Sequence, residues 1–288
     1  MDNTCPKYGL VLEGGAMRGM FTAGVIDVFI DNDIKFDGAI GVSAGAVIGI
    51  NYPSKQKGRA IGYTLDFIKD KRYMGIGNLI KTGDLIGKDF AYYTVPVKYY
   101  PFDEETFHKT GIPFYAAVTN METGDAEYFE IEDFDFGMEA LRASASLPFV
   151  TKPVMLNGKP YLDGGVADSI PYRKMFELGY DKLVVVLTRD GSYRKSPMPA
   201  FPTRYVYRKY PAFADRIMDR HNEYNSTVRE LEKLESEGRV FIIRPPAPLG
   251  IGRTERNLEK IKRTYEKGLA QGEARLGALK EFLSGKSV

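Results

Sequence analysis

Residues 8–19 read YGLVLEGGAMRG and residues 39–50 read AIGVSAGAVIGI. Tyr8 to Leu12 is a short apolar run that breaks on the glycine-rich turn Gly14 to Gly19. Behind that turn Phe21, Val25, Val28 and Phe29 fall at i, i+4, i+7 and i+8, one face of a helix expected to end near Asn32 and Asp33. Ala39 to Val42 is a second apolar run, and past a tight turn at Ser43 the stretch Ala44 to Ile50 is small and apolar enough for a buried helix. Strand, helix, strand and helix within about fifty residues predict a parallel sheet covered by helices, the opening of an α/β fold.

The alternation continues outward. Pro113 to Thr119 reads as a buried strand, and Glu127 to Ile131 as its partner past the Thr123-Gly124-Asp125 turn. Met138 to Ala145 predicts a short helix running towards Pro148. Asn157-Gly158 inside Val154 to Leu162 predicts a hairpin, because that pair suits a turn with positive φ. Lys182 to Thr188 has the unbroken apolar character of a central parallel strand, and Arg239 to Arg244 resembles it. Glu255 to Phe282 is a long helical stretch, with Leu258, Ile261, Tyr265 and Leu269 near helical spacing and glycines interrupting it; it is expected to pack on the sheet. Arg189 to Pro211, with four prolines, is poor material for a regular element. The expectation is one domain over residues 1–288, with a motif-bearing core at about 8–188 and a basic, proline-rich insertion plus C-terminal helices at about 189–288.

Composition narrows the chemistry. Forty basic against 38 acidic side chains leave a net charge of +2, too balanced for a dedicated nucleic-acid binder. Cys5 is the only cysteine, so no internal disulfide forms, and no Cys cluster exists to hold a metal. The only histidines, His108 and His221, are far apart in sequence and lack the pairing of a helical zinc site. No metal or other cofactor is expected. No apolar run reaches the length of a membrane span, and MDNTCPKYGL lacks the basic and apolar regions of a signal peptide, so a cytoplasmic protein is the expectation.

Three motifs can carry chemistry. Gly41-Val42-Ser43-Ala44-Gly45 is a G-x-S-x-G placed between a strand and a helix. A nucleophile elbow needs that pattern, since side chains beside the serine would collide in so sharp a turn; alternatively Ser43 only caps the next helix. Gly14 to Gly19 exposes backbone N–H groups as an oxyanion hole would, with Arg18 as a fixed positive charge. It can also be read as a dinucleotide-binding turn with Asp37 about twenty residues on, although Ala16 occupies the middle glycine's place, or as a plain tight turn. Asp163-Gly164-Gly165 is either a turn or the source of a general base. The order Ser43, Asp163, His221 matches an α/β-hydrolase triad, but His221 sits in a charged, helical-looking segment and His108 in what reads as a surface loop.

In these residues the sequence resembles the bacterial branch of the patatin-like phospholipases, which carry a glycine-rich oxyanion motif, a G-x-S-x-G serine and a later Asp-Gly-Gly in this order. Ser144-Ala145-Ser146-Leu147-Pro148, Asp168 and Pro171 are further family-like residues, and the likeness spans roughly Tyr8 to Thr188. The resemblance implies a three-layer α/β fold and hydrolysis of lipid carboxylic esters. It implies Ser43 as nucleophile, Asp163 as base without histidine, oxyanion amides from Gly14, Gly15 and Ala16, and Arg18 beside them to hold an anionic headgroup or the loop itself. Ala16 departs from the family's usual third glycine; its N–H remains available, and its methyl is expected to restrict the loop or narrow the substrate approach. The competing expectations are a Ser43/Asp163/His221 triad and a non-catalytic lipid- or nucleotide-binding module. Arg189 to Arg220, basic and interleaved with aromatics, is the candidate for contact with the inner face of a membrane, the alternative being a solvated surface. Oligomeric state has no signature in the sequence.

Overall fold

The computed structural model describes residues 6–285, so Cys5 and the first half of the amino-terminal decapeptide lie outside the described residues. The elements run β1 (Tyr8–Leu12), α1 (Gly19–Asp31), β2 (Gly38–Val42), α2 (Ala44–Gly49), α3 (Arg59–Phe67), α4 (Ile76–Thr82), a wide π-helical segment (Asp89–Tyr99) and α5 (Glu104–Thr110). Next come β3 (Phe114–Asn120), β4 (Ala126–Glu130), α6 (Phe134–Ser144), β5 (Val154–Leu156), β6 (Lys159–Asp163) and α7 (Tyr172–Glu177). The chain ends with β7 (Lys182–Val186), α8 (Ala200–Val206), α9 (Pro211–Ser236), β8 (Val240–Ile243) and α10 (Leu258–Leu283).

The eight strands form one sheet in the order β5-β6-β3-β2-β1-β7-β8, with β4 on the other edge of β3. β1 pairs in parallel with β2 and β7, as do β2 with β3 and β7 with β8; β4, β5 and β6 run antiparallel. This is the mainly parallel, three-layer α/β architecture expected. Along β1 and β7, Leu10, Leu12, Val184 and Val186 point into a core shared with Phe21 and Val25 of α1. Val11, Leu183 and Val185 point the other way, into a core shared with Met175 of α7 and Leu231 of α9. Burial on both faces explains why Lys182 to Thr188 is apolar without alternation. Each such side chain contributes about 1.5–3 kcal/mol on leaving water. β1 is the switch point of the sheet: β2 and β3 lie to one side of it, β7 and β8 to the other. A ligand site is expected beyond the carboxyl ends of strands at such a point.

Three local expectations change. α10 packs chiefly on α1 and reaches the sheet through Phe282, whose ring lies 5.6 Å from that of Phe241. Its glycines make the contact: a Cβ on Gly268 would lie 2.1 Å from the Phe21 carbonyl oxygen, and one on Gly24 2.3 Å from that of Tyr265. Arg189 to Pro211 holds α8, and Pro211 opens α9, where a first-turn proline loses no hydrogen bond. His108 lies in the last turn of α5, a helix rather than a loop. Among the described residues no helix is long and apolar enough to cross a membrane.

Candidate active site

Ser43 is the hinge between β2 and α2, with φ 55° and ψ −124°. That region is sparsely populated for a side-chain-bearing residue and costs about 1–3 kcal/mol. Close packing imposes it. A Cβ on Gly41 would lie 2.5 Å from the Gly45 carbonyl oxygen, and one on Gly45 2.4 Å from that of Leu12. The hydroxyl makes no capping bond to α2, so the simple N-cap reading fails. Instead Ser43 Oγ donates to Asp163 Oδ2 at 2.6 Å.

Register explains how residues 120 positions apart meet. β4 pairs with Tyr115 to Thr119 along one edge of β3. β2 and β6 therefore share the opposite edge, β2 ending with Val42 opposite Ala117 and β6 with Asp163 opposite Val118. The carboxyl ends of the two strands meet head to head at neighbouring β3 positions. Gly164 has no room for a side chain, since a Cβ there would lie 2.1 Å from the Ala117 carbonyl oxygen. The Asp-Gly-Gly is thus a fitted junction, with Asp163 Oδ1 accepting the Gly165 amide at 2.8 Å.

Both residues are buried, Ser43 at 6% and Asp163 at 2% exposure. Burial pushes the Asp163 carboxyl up from its usual range, against the opposing pull of the Arg220 charge, the Ser43 hydroxyl and the Gly165 amide. The family-like Ser144 to Pro148 stretch acquires a function here. Ser144 Oγ accepts the Ser43 amide at 2.8 Å and donates to the Ala117 carbonyl at 2.6 Å, while the Ser146 carbonyl accepts the Asp163 amide at 2.8 Å.

The amide of Ser43 is itself engaged by Ser144. The amides of Gly14, Gly15 and Ala16 make no hydrogen bond to the protein among the described residues, and all three residues line a cavity with Ser43. Ala16 holds φ 49°, a left-handed conformation that the family's usual glycine would adopt without strain. Behind the loop, buried Glu13 accepts the Thr188 amide at 2.5 Å and the Tyr224 hydroxyl at 2.8 Å, tying β1 to the end of β7 and to α9.

Two cavities meet at Ser43. One, of about 150 Å³, is walled by apolar groups including Met20, Tyr63, Met74, Tyr92 and Val95. The other is smaller and polar, and Arg18, Arg189, Lys195, Arg220 and Arg253 line it. Ala16, Ser43, Leu147 and Arg253 belong to both.

Not every candidate residue arrives. His221 lies on α9 with Nδ1 2.8 Å from the Met218 carbonyl oxygen and lines neither cavity. The direct Ser43–Asp163 bond occupies the place a histidine would need, so the triad is not formed. Asp37 accepts the Tyr8 amide at 2.6 Å, at the amino end of β1 and far from the glycine loop, which removes the dinucleotide reading. Asp168 accepts the Tyr128 hydroxyl at 2.8 Å and the Ile170 amide at 3.1 Å, and Pro171 caps α7. Both are supports of the loop after Asp163.

Fold and site together define an α/β protein of the hydrolase class. The chain belongs to the patatin-like phospholipase family, whose model matches residues 10–176, and membership supports a hydrolase acting on lipid esters. A second model, a domain of unknown function (DUF6363), matches residues 210–284. The uncharacterized protein YjjU of Escherichia coli (strain K12) is 26% identical over 294 residues, covering 98% of this chain and 80% of that one. The lysophospholipase NTE1 of Kluyveromyces lactis is 27% identical over 296 residues, covering 95% of this chain, which spans only 19% of NTE1. Among solved structures, VipD from Legionella pneumophila aligns at a TM-score of 0.47 and 13% identity, covering 96% of this chain and 67% of VipD.

Proposed function

We propose that the protein is a phospholipase or esterase that cleaves carboxylic esters of lipids through a Ser43–Asp163 dyad and an acyl-enzyme, without histidine. The observation that carries this reading is the 2.6 Å bond between Ser43 and Asp163, held at a strained elbow where an apolar and a cationic cavity meet. The acyl chain lies in the apolar cavity and its carbonyl beside Ser43. Asp163 takes the Ser43 proton as Oγ bonds to the carbonyl carbon, and the amides of Gly14, Gly15 and Ala16 stabilise the oxyanion. The tetrahedral intermediate collapses, the C–O bond to the alcohol breaks, and Asp163 returns the proton to the leaving oxygen. A water molecule then gives a proton to Asp163 as its oxygen attacks the acyl-serine, releasing the fatty acid and restoring Ser43. Residues 6–285 act as one hydrolase unit in this reading, since β8 extends the sheet and Arg220, Tyr224 and Arg253 complete the polar cavity.

A fluorophosphonate probe is expected to label the protein at Ser43, and Ser43→Ala to lose the label. Ser43→Ala and Asp163→Asn are each expected to abolish hydrolysis of a short-chain nitrophenyl ester while leaving the circular dichroism spectrum intact. Full activity in either variant would sink the assignment.

A further inference from the structure

The cations of the polar cavity outnumber its carboxylates. Arg18, Arg189, Lys195, Arg220 and Arg253 share it with two carboxylates, Glu13 and Asp163. Glu13 is engaged by Thr188 and Tyr224, and Asp163 by Ser43 and the Gly165 amide. Among the described residues none of the five cations is ion-paired, and the Nε atoms of Arg18 and Arg220 are buried without a hydrogen-bond partner. Leaving such groups buried and unpaired is unfavourable, and their mutual repulsion adds to that.

Contacts within the cavity nevertheless position three of them, Arg189, Lys195 and Arg220. Lys195 Nζ lies 4.2 Å from the centre of the Tyr224 ring and the Arg189 guanidinium 3.9 Å from that of Tyr193. Asn225 clamps the Lys195 backbone from both sides, accepting its amide at 2.8 Å and donating to its carbonyl at 3.0 Å. Arg220 Nη2 lies against Gly165, where a Cβ would come within 2.9 Å of it. Burial and the neighbouring Arg220 pull the Lys195 ammonium down to about 7 despite the opposing Glu13 charge, as expected for a site with an excess of positive charge.

We propose that this cavity is a phosphate subsite that selects acyl esters with an anionic phosphate headgroup over neutral and zwitterionic ones. The proposal rests on the hydrolase reading above. Guanidinium forks match phosphate oxygens, and several of them converging on one point suit a phosphomonoester, which carries close to two charges. A quaternary ammonium would need an aromatic face, but Arg189 and Lys195 already cover those of Tyr193 and Tyr224. Four of the five cations lie beyond residue 176, where the phospholipase match ends; Arg220 and Arg253 belong to the matched domain of unknown function. One role of that domain is therefore to furnish the headgroup half of the site.

The test compares three substrates of equal acyl chain, each below its aggregation threshold: lysophosphatidic acid, lysophosphatidylcholine and monoacylglycerol. Wild-type kcat/KM is expected to favour the phosphomonoester by about tenfold to a hundredfold, the scale of a charge-assisted contact or two. Lys195→Met and Arg220→Gln should each collapse that ratio, while Arg229→Gln, on the exposed side of α9, should keep it. A second arm needs no turnover: glycerol phosphate and inorganic phosphate are titrated calorimetrically into Ser43→Ala and are expected to bind. Tighter binding of glycerol phosphate identifies a headgroup site and supports the proposal; equal binding of the two makes it a free-phosphate site and overturns headgroup selection. If wild type shows Ser43-dependent hydrolysis with equal rates on all three lipids, the subsite is refuted and the hydrolase reading stands. If no ester is hydrolysed yet glycerol phosphate binds and the binding is lost in Arg220→Gln, the hydrolase reading fails and the phosphate subsite stands. Phosphate should also raise the Tm of the wild-type protein, a readout that survives if a variant does not fold.

Discussion

The hydroxyl of Ser144 accepts the backbone N–H of Ser43 at 2.8 Å and gives its own proton to the Ala117 carbonyl at 2.6 Å. One side chain from the end of α6 thereby satisfies two buried backbone groups and holds the strained elbow against β3. Ser144→Ala leaves both groups unpaired, which costs about 1–3 kcal/mol in stability, and loosens the turn that aims Oγ at Asp163. The expected outcome is a lower urea midpoint together with a fall in kcat larger than any change in KM. Ser144→Thr retains the hydroxyl and should restore much of both. An Ala variant with unchanged kcat would show that the elbow holds itself.

In the proposed mechanism the ionised form of Asp163 accepts the Ser43 proton, so activity is expected to fall as pH drops through its pKa. Burial raises that pKa. The acid limb of kcat/KM for a neutral nitrophenyl ester should therefore lie above the ordinary aspartate range near about 4. Arg220 opposes the rise, so Arg220→Gln should move the limb to still higher pH. A phosphate-bearing substrate should add an alkaline limb near about 7 as Lys195 loses its proton. The groups that bear on that titration are Arg220, Arg253 and Arg18, which lower it, and Glu13, which raises it. A limb at the same pH for both substrate classes would remove Lys195 from headgroup binding.

The motif residues were legible because their constraint is local. Gly41, Ser43 and Gly45 make one turn, and Asp163-Gly164-Gly165 makes another, so the glycines advertise tight backbone contacts in sequence. Lys195 and Arg220 read differently, as members of one basic surface from Arg189 to Arg220. The structure divides that stretch, turning Lys195 and Arg220 into the cavity and leaving Arg204 and Arg208 exposed. The available clue was periodic: Ile217, Arg220, Tyr224, Val228 and Leu231 follow one face of α9, and a basic residue on an apolar face has business inside. Between Ile50 and Pro113 the sequence reading assigns no element. That region folds into short helices and a π-helical segment, and Tyr63, Met74, Tyr92 and Val95 from it wall the apolar cavity; the stretch Asp89–Tyr99 departs from ordinary helical spacing and carries Pro96, which in sequence reads as a helix breaker.

The α1–α10 seam supplies a paired prediction on glycine. Gly268→Ala would drive a methyl to 2.1 Å from the Phe21 carbonyl oxygen, a backbone atom that cannot step aside. The two helices must separate, and a loss of about 1–3 kcal/mol or more is expected. Gly277, in the same helix, meets nothing within 4 Å. Gly277→Ala should stabilise by about 0.5–1 kcal/mol through helix propensity. Urea unfolding of the two variants checks the pair, and equal effects would mean that the seam is not close-packed.

Contact with a membrane, if it runs through the basic stretch, falls to α8 and the residues just after it. Phe201 is 83% and Tyr205 66% exposed, and they stand at i and i+4 on one helix face. Arg204, Arg208 and Lys209 are exposed beside them, the arrangement that suits an anionic lipid surface. The patch is tied to the site: the Tyr207 hydroxyl accepts the Phe149 amide at 2.8 Å, and Leu147 in that same loop lines both cavities. A bilayer engaged by α8 would therefore bear on the loop that contributes Leu147 to both cavities. Phe201→Ala with Tyr205→Ala should weaken sedimentation with anionic vesicles about tenfold or more, given the area each ring buries. Hydrolysis of a short, dispersed nitrophenyl ester should be unaffected, since neither ring lines either of the two cavities that meet at Ser43. Undiminished vesicle binding by the double variant would place the membrane contact on another face.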